Sequence, residues 1–155
     1  MASHTFESEL WLPCARELVY PFFADARNLE KITPPWLRFR IITPTPIPMR
    51  VGARIDYRLR IHGFPVRWQT EITRWDPPFA FVDEQRRGPY RQWIHTHTFE
   101  EKDGGTLCRD KVVYSVPGGE FINWLVVQRD VQTIFTYRRT VLSQLFPPRE
   151  KDAAR

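Results

Sequence analysis

His95 and His97 are the residues with the most chemistry to offer. They stand two apart in "QWIHTHTFE", residues 92–100, whose flanks alternate as a β-strand does. In a strand, side chains i and i+2 share a face, so both imidazoles point the same way, between Trp93 and Phe99. Three uses fit such a pair. Two imidazoles with one carboxylate, Asp83 or Asp110, form an acceptable ligand set for zinc or iron. An Asp–His pair can orient an imidazole as acid or base, to remove a proton beside a carbonyl or protonate an enolate. The same groups can also close an internal hydrogen-bond network that holds strand register.

The partners for either use come from the neighbouring segments. Asp83 and Gln85 share parity with Phe79 and Phe81, and Cys108 and Asp110 share parity with Val112 and Tyr114. If these parities all face inward, two Asp, two His, a Gln, a Cys and a Tyr gather on three adjacent strands, where each needs a polar partner. One β-bulge near Gly88 or Gly104 would invert a strand and undo this. Cys108 is read as a small buried hydrophobe, not a nucleophile.

The elements that must position these residues follow from the periodicity. Residues 5–12 alternate, with Phe6, Ser8, Leu10 and Leu12 on one face. "CARELVYPFFADA" then carries Ala15, Leu18, Val19, Phe22 and Phe23 along a helical stripe, broken at Pro21 into a short helix and a turn. Asn28 is placed to cap a second short helix, "LEKIT", that ends at Pro34 and Pro35. From Leu37 the period is two, through Phe39 and Ile41, up to the proline-rich loop "TPTPIP" over residues 43–48. Ile55, Tyr57, Leu59 and Ile61 pair with Val66, Trp68, Thr70 and Ile72 in a hairpin that turns at Gly63, with Arg54, Arg58, Arg60 and Arg67 on its wet face beside Asp56 and Glu71. Strands follow at "FAFVDEQ", "YRQWIHTHTFEE" and "TLCRDKVVYSV". From Glu120 to Phe146 the period returns to 3.6, through Phe121, Trp124, Leu125, Val131, Ile134, Phe135, Val141, Leu142 and Leu145, which makes a helix roughly 40 Å long that needs an equally long partner surface. A curved antiparallel sheet supplies one, in the order β-αα-β6-α.

Composition excludes several classes. With 42% apolar and 14% aromatic residues the chain of 155 is a globular protein with a real core. The net charge of +5 comes from arginines scattered among acids, without a helix-turn-helix, zinc-finger or RNP pattern, so nucleic acid is not an expected partner and anionic membrane contact is transient at most. No apolar run approaches a membrane span, and "MASHTFESEL" has glutamates where a signal peptide needs an apolar stretch, so a soluble cytoplasmic protein with reduced Cys14 and Cys108 is expected. No phosphate-binding loop, nucleophile elbow or HExxH motif is present.

The element order, with "GPYRQWIHTHTFEEKDGGT", "DKVVYSVPGG" and "IFTYRR" where they stand, resembles the START-like or SRPBCC superfamily, the helix-grip fold of the birch-pollen allergen, over essentially the whole chain. Within it the chain is similar to a bacterial ligand-binding SRPBCC subgroup. The resemblance implies an α+β fold with a seven-stranded sheet around the C-terminal helix, and a cavity between them that takes lipids, sterols, quinones or polyketides. It also implies a cavity without metal or cofactor, and, through "YRR", an Arg138 that folds back on the sheet or an acid. The expected ligand contacts are Tyr57, Trp68, Phe81, Asp83, Gln85, Trp93, His95, His97, Asp110, Tyr114 and Phe135, on a domain spanning 1–148 with a polar, disordered tail over 149–155. A polyketide cyclase or dehydratase using His95, His97, Asp83 and Asp110 is the alternative, and an interaction module with a filled core is a third.

Overall fold

Alternation becomes a seven-stranded antiparallel sheet in the computed structural model, which describes residues 2–148. β1 (His4–Leu12) leads into α1 (Arg16–Ala24), α2 (Leu29–Ile32) and a two-residue β2 (Arg40–Ile41). Then come β3 (Arg54–Ile61), β4 (Phe64–Asp76), β5 (Ala80–Arg87), β6 (Gln92–Lys102) and β7 (Gly105–Ser115). α3 (Gly119–Ile122) passes through one π-helical turn, Asn123–Val127, into α4 (Gln128–Leu145). The strand order is β1-β7-β6-β5-β4-β3-β2: successive hairpins build the sheet and β1 closes on the free edge of β7. This is the α+β helix-grip arrangement. The tail expected over 149–155 lies outside the described residues.

Two hairpins turn on the residue pairs that tight turns favour. His62 and Gly63 have φ of 50° and 82°, and Asp103 and Gly104 have φ of 50° and 75°. Positive φ at both central positions is the requirement of a type I′ turn, whose twist matches that of the strands it joins. The bulges fall elsewhere than at Gly88 or Gly104: register shifts between Gln69 and Thr70 and between Ile72 and Arg74 on β4. The second shift lets Ile72 and Trp75, three residues apart, both turn inward. Parity on β5, β6 and β7 therefore survives, with Asp83 opposite His95 and His97 opposite Asp110.

Several sequence expectations are corrected. Pro21 lies inside α1, which continues to Ala24; the N–H it lacks would have served only the Glu17 carbonyl, in the exposed first turn. Leu18 is exposed, and Tyr20 takes the buried place beside Val19. Asn28 caps no helix: its side-chain amide donates to the Phe22 carbonyl at 2.8 Å, while Asp25 accepts from the Arg27 N–H. The strand read from Leu37 shrinks to Arg40–Ile41, because residues 35–37 coil into a 3₁₀ turn and Arg38 takes φ 46°. Phe79 sits in the turn before β5, half exposed. On the long helix Phe121, Trp124, Leu125 and Leu145 are exposed. A π turn adds a residue to the helical repeat, so the stripe traced through Phe121 and Trp124 loses phase with the one that α4 buries at Val131, Phe135, Arg138 and Leu142.

Candidate functional site

Between α4 and the concave face of the sheet lies a cavity of about 450 Å³. Its wall is built by period: β3 contributes Ile55, Tyr57, Leu59 and Ile61, β4 contributes Trp68, Thr70 and Ile72, and α4 contributes Val131, Ile134, Phe135 and Arg138. The aromatic wall is continuous. Tyr57 stacks on Trp68 at 5.8 Å between centroids, and Trp68 meets Trp93 edge to face at 5.5 Å.

Into this wall β5 and β6 set the polar groups. Asp83 Oδ2 is 2.6 Å from His97 Nε2, and Asp110 Oδ1, one strand further, is 2.7 Å from His95 Nε2. The two imidazoles stack at 3.7 Å between centroids, and His97 also stacks on Phe81 at 4.0 Å. Cross-contacts close the square, with His95 Nδ1 3.8 Å from Asp83 and His97 Nδ1 3.4 Å from Asp110. From α4, Arg138 Nη2 approaches Asp110 Oδ1 to 3.6 Å.

The charges settle accordingly. Burial would raise both carboxyls. Asp83 is nevertheless held below the usual range by His95, His97 and Arg138, and Asp110 well below it by Arg138 and the same histidines. Burial also opposes a charged His97, yet its contacts with Asp110 and Asp83 win and hold it above the ordinary histidine value. His95 goes the other way, pulled down by burial and by the neighbouring His97. The two shifts have opposite signs, so a proton shared by the pair favours His97, beside two carboxylates, over His95. Burial pushes the Cys108 thiol up to about 12, which leaves it inert; both cysteines are free.

The ligand atoms of Asp83, His95 and His97 lie within 4.8 Å of one another. Tetrahedral zinc ligands sit roughly 3.4 Å apart. The 2.6 Å Asp83–His97 contact is closed on a proton and would have to open to take a metal.

Of the residues singled out from sequence, Tyr57, Trp68, Phe81, Asp83, Trp93, His95, His97 and Phe135 line the cavity. Asp110 stands behind His95. Gln85 is turned to the chain, bonded to the Tyr90 carbonyl and N–H at 2.7 and 3.1 Å. Tyr114 donates to Asn123 Oδ1 at 2.8 Å in the adjoining core. Sequence reading missed the contribution of Phe22, Phe23, Trp36 and Tyr90, which come from the helices and loops where no strand parity guides the eye. Past the hairpin's wet face, the turn brings His62 to Asp130 at 2.8 Å. On that wet face Arg54 pairs with Glu71 at 3.1 Å, while Asp56 accepts from Gln69.

Residues 12–136 match the model of the family described as polyketide cyclase / dehydrase and lipid transport. The chain belongs to that family. No match was found among curated proteins. Solved structures agree on the fold. Protein Ms6760 from Mycobacterium smegmatis is 23% identical, covering 91% of this chain and 89% of that one at a TM-score of 0.66. CV1439 from Chromobacterium violaceum is 16% identical over 94% and 99% of the two chains, TM-score 0.71. Ginseng major latex-like protein 151 from Panax ginseng is 11% identical over 94% and 99%, TM-score 0.67. This member of the polyketide cyclase and lipid transport family has, among its described residues, no helix long and apolar enough to cross a membrane.

Proposed function

We propose that the protein binds a hydrophobic or amphipathic small molecule, of the size of a lipid tail, quinone or polyketide, in the cavity between the sheet and α4. The ligand's apolar body lies along Tyr57, Trp68 and Trp93, and its polar end meets the cluster of Asp83, His95 and His97. The observation that carries this reading is a 450 Å³ cavity whose wall is largely aromatic and aliphatic, with one buried charged cluster in it. That volume falls within the roughly 300–1,000 Å³ of ordinary ligand sites. A family description that names lipid transport supports it, and a cavity of this size speaks against a filled interaction module. In this reading the protein works in the cytoplasm as a single domain, with reduced cysteines. The test is saturable one-to-one quenching of Trp68 and Trp93 by a panel of apolar ligands, and its weakening in Leu59→Trp, which pushes a larger ring into the cavity beside Trp68. Equal binding by that variant across the panel, with its fold intact, contradicts the reading.

A second reading is supported by the 2.7 Å contact between His95 and Asp110. A neutral imidazole oriented by a carboxylate is a general base, suited to removing a proton beside a ligand carbonyl, as a cyclase or dehydratase requires. Under this reading His95→Ala abolishes product formation while ligand quenching persists; a protein that binds but yields no product from any carbonyl substrate supports carriage alone.

A further inference from the structure

The cavity opens where its lining residues are themselves exposed, at Trp36, His62, Gly63, Arg129 and Thr133. Three elements meet there: the turn after α2, the hairpin of β3 and β4, and the π turn leading into α4. Each carries a large apolar side chain into solvent. Trp36 is 56% exposed on the first, Phe64 74% on the second, and Leu125, one turn before Arg129, 53% on the third. Phe64 stands opposite Ile61, which lines the cavity, and opposite residues share a sheet face, so its ring projects on the cavity's side of the hairpin tip. Each element also carries an exposed arginine near that side chain: Arg38, Arg60 and Arg129. Among the described residues no carboxylate pairs with any of the three; Arg60 Nη1 reaches only the Gly63 carbonyl, at 3.5 Å. Asp130, on the same rim, is held by His62. Elsewhere on the sheet arginines are neutralised, Arg54 and Arg86 by Glu71, and Arg109 by Glu9 and Glu100.

Unpaired cations and separate apolar side chains around one opening select the occupant. A second copy would bring the same arginines and its own net charge of +5 against them. The apolar side chains stand on three elements around an opening and not as one continuous face, whereas a stable protein interface needs about 800 Å² of complementary surface on each partner. An anionic bilayer meets each point independently: its phosphates receive the arginines, and the apolar side chains enter the headgroup zone. We infer that the protein docks the mouth of its cavity on an anionic lipid surface, with Trp36, Phe64 and Leu125 dipping into it and Arg38, Arg60 and Arg129 held by its phosphates. An apolar ligand then passes between bilayer and cavity without crossing water. This goes beyond the ligand-binding reading and rests on it only for the cargo.

The test is sedimentation of the full chain with vesicles of phosphatidylcholine alone, or of equal parts phosphatidylcholine and phosphatidylglycerol, at low and high salt. The mixed vesicles carry the protein down at low salt, high salt releases it, and the phosphatidylcholine vesicles bind about tenfold or more weakly. Arg38→Gln combined with Arg60→Gln weakens binding to the mixed vesicles about tenfold or more, and Phe64→Ser about tenfold. These three side chains are exposed and outside the cavity lining, so quenching of Trp68 and Trp93 by a soluble apolar ligand is unchanged in both variants. Equal binding to the two vesicle types, or binding to neither, overturns the inference and leaves ligand binding, read by quenching, standing. A dimer in sedimentation velocity that Phe64→Ser dissociates also overturns it, since a second copy then covers the face. Vesicle binding without any ligand quenching upholds the docking and removes the cargo.

Discussion

His62, at the turn between β3 and β4, and Asp130, on α4, meet at 2.8 Å across the cavity from opposite elements. Both line the cavity, and His62 is largely exposed, so the pair closes its rim and not its floor. The positive φ of His62 is what turns the imidazole toward the helix, and the glycine after it completes the turn.

An exposed polar contact of this kind contributes little to stability, so its expected effect is kinetic. Asp130→Asn or His62→Ala changes the unfolding free energy by less than about 1 kcal/mol. The same variants accelerate ligand dissociation severalfold, because hairpin and helix part more readily. Stopped-flow displacement of a bound apolar ligand measures this. Unchanged dissociation rates would show that ligands leave elsewhere.

The network beneath the cavity predicts a pH profile with falling stability on both sides. Asp83 and Asp110 have lowered values in the folded protein, so the stability they contribute is present above their unfolded value and is lost as pH falls through the folded one. His95, also lowered, must take up a proton on acidification and adds to the loss below roughly pH 6.5. His97 is raised, so its contribution is full below its unfolded value and is lost as pH rises through its folded value. Urea unfolding across pH is the measurement. Asp83→Asn, which strips His97 of its 2.6 Å charged partner, costs about 3 kcal/mol at neutral pH and shallows the alkaline slope, leaving the part that Asp110 supplies. An alkaline slope undiminished in Asp83→Asn would dissociate His97 from that pair.

The long helix gives a packing prediction. Leu142 is buried against α1 and the sheet, whereas Leu125, in the π turn, is half exposed. Leu142→Ala costs about 3 kcal/mol and Leu125→Ala less than about 0.5 kcal/mol by denaturant unfolding. Similar costs at the two sites would mean that the helix buries a different face at its start.

Much of this architecture is legible in the chain because strand parity is a local property. Asp83, His95 and His97 alternate with the part-buried residues of the opposite face, Val82, Glu84, Ile94, Thr96 and Thr98, and no register shift falls within the β5–β6 and β6–β7 pairings. The bulge at Ile72–Arg74 was invisible because it arises from pairing with β5, and its only trace is the three-residue step from Ile72 to Trp75. The exposed start of the long helix was misread for a comparable reason. Phe121, Trp124 and Leu125 have helical spacing, but a π turn depends on how the helix leaves β7, where Tyr114 holds Asn123. The approach of Arg138 to an acid is foreshadowed by "YRR"; its 3.6 Å distance from Asp110 is not, since that depends on how closely two elements pack.

The most direct test of the central claim is native mass spectrometry of freshly purified protein, taken before and after treatment with a chelator and after incubation with a cellular lipid extract. The account predicts one organic adduct per chain, retained through chelation and restored by the extract, and reduced in Leu59→Trp. A protein that stays at its bare mass in the presence of the extract, or an adduct of metal mass that the chelator removes, would contradict it.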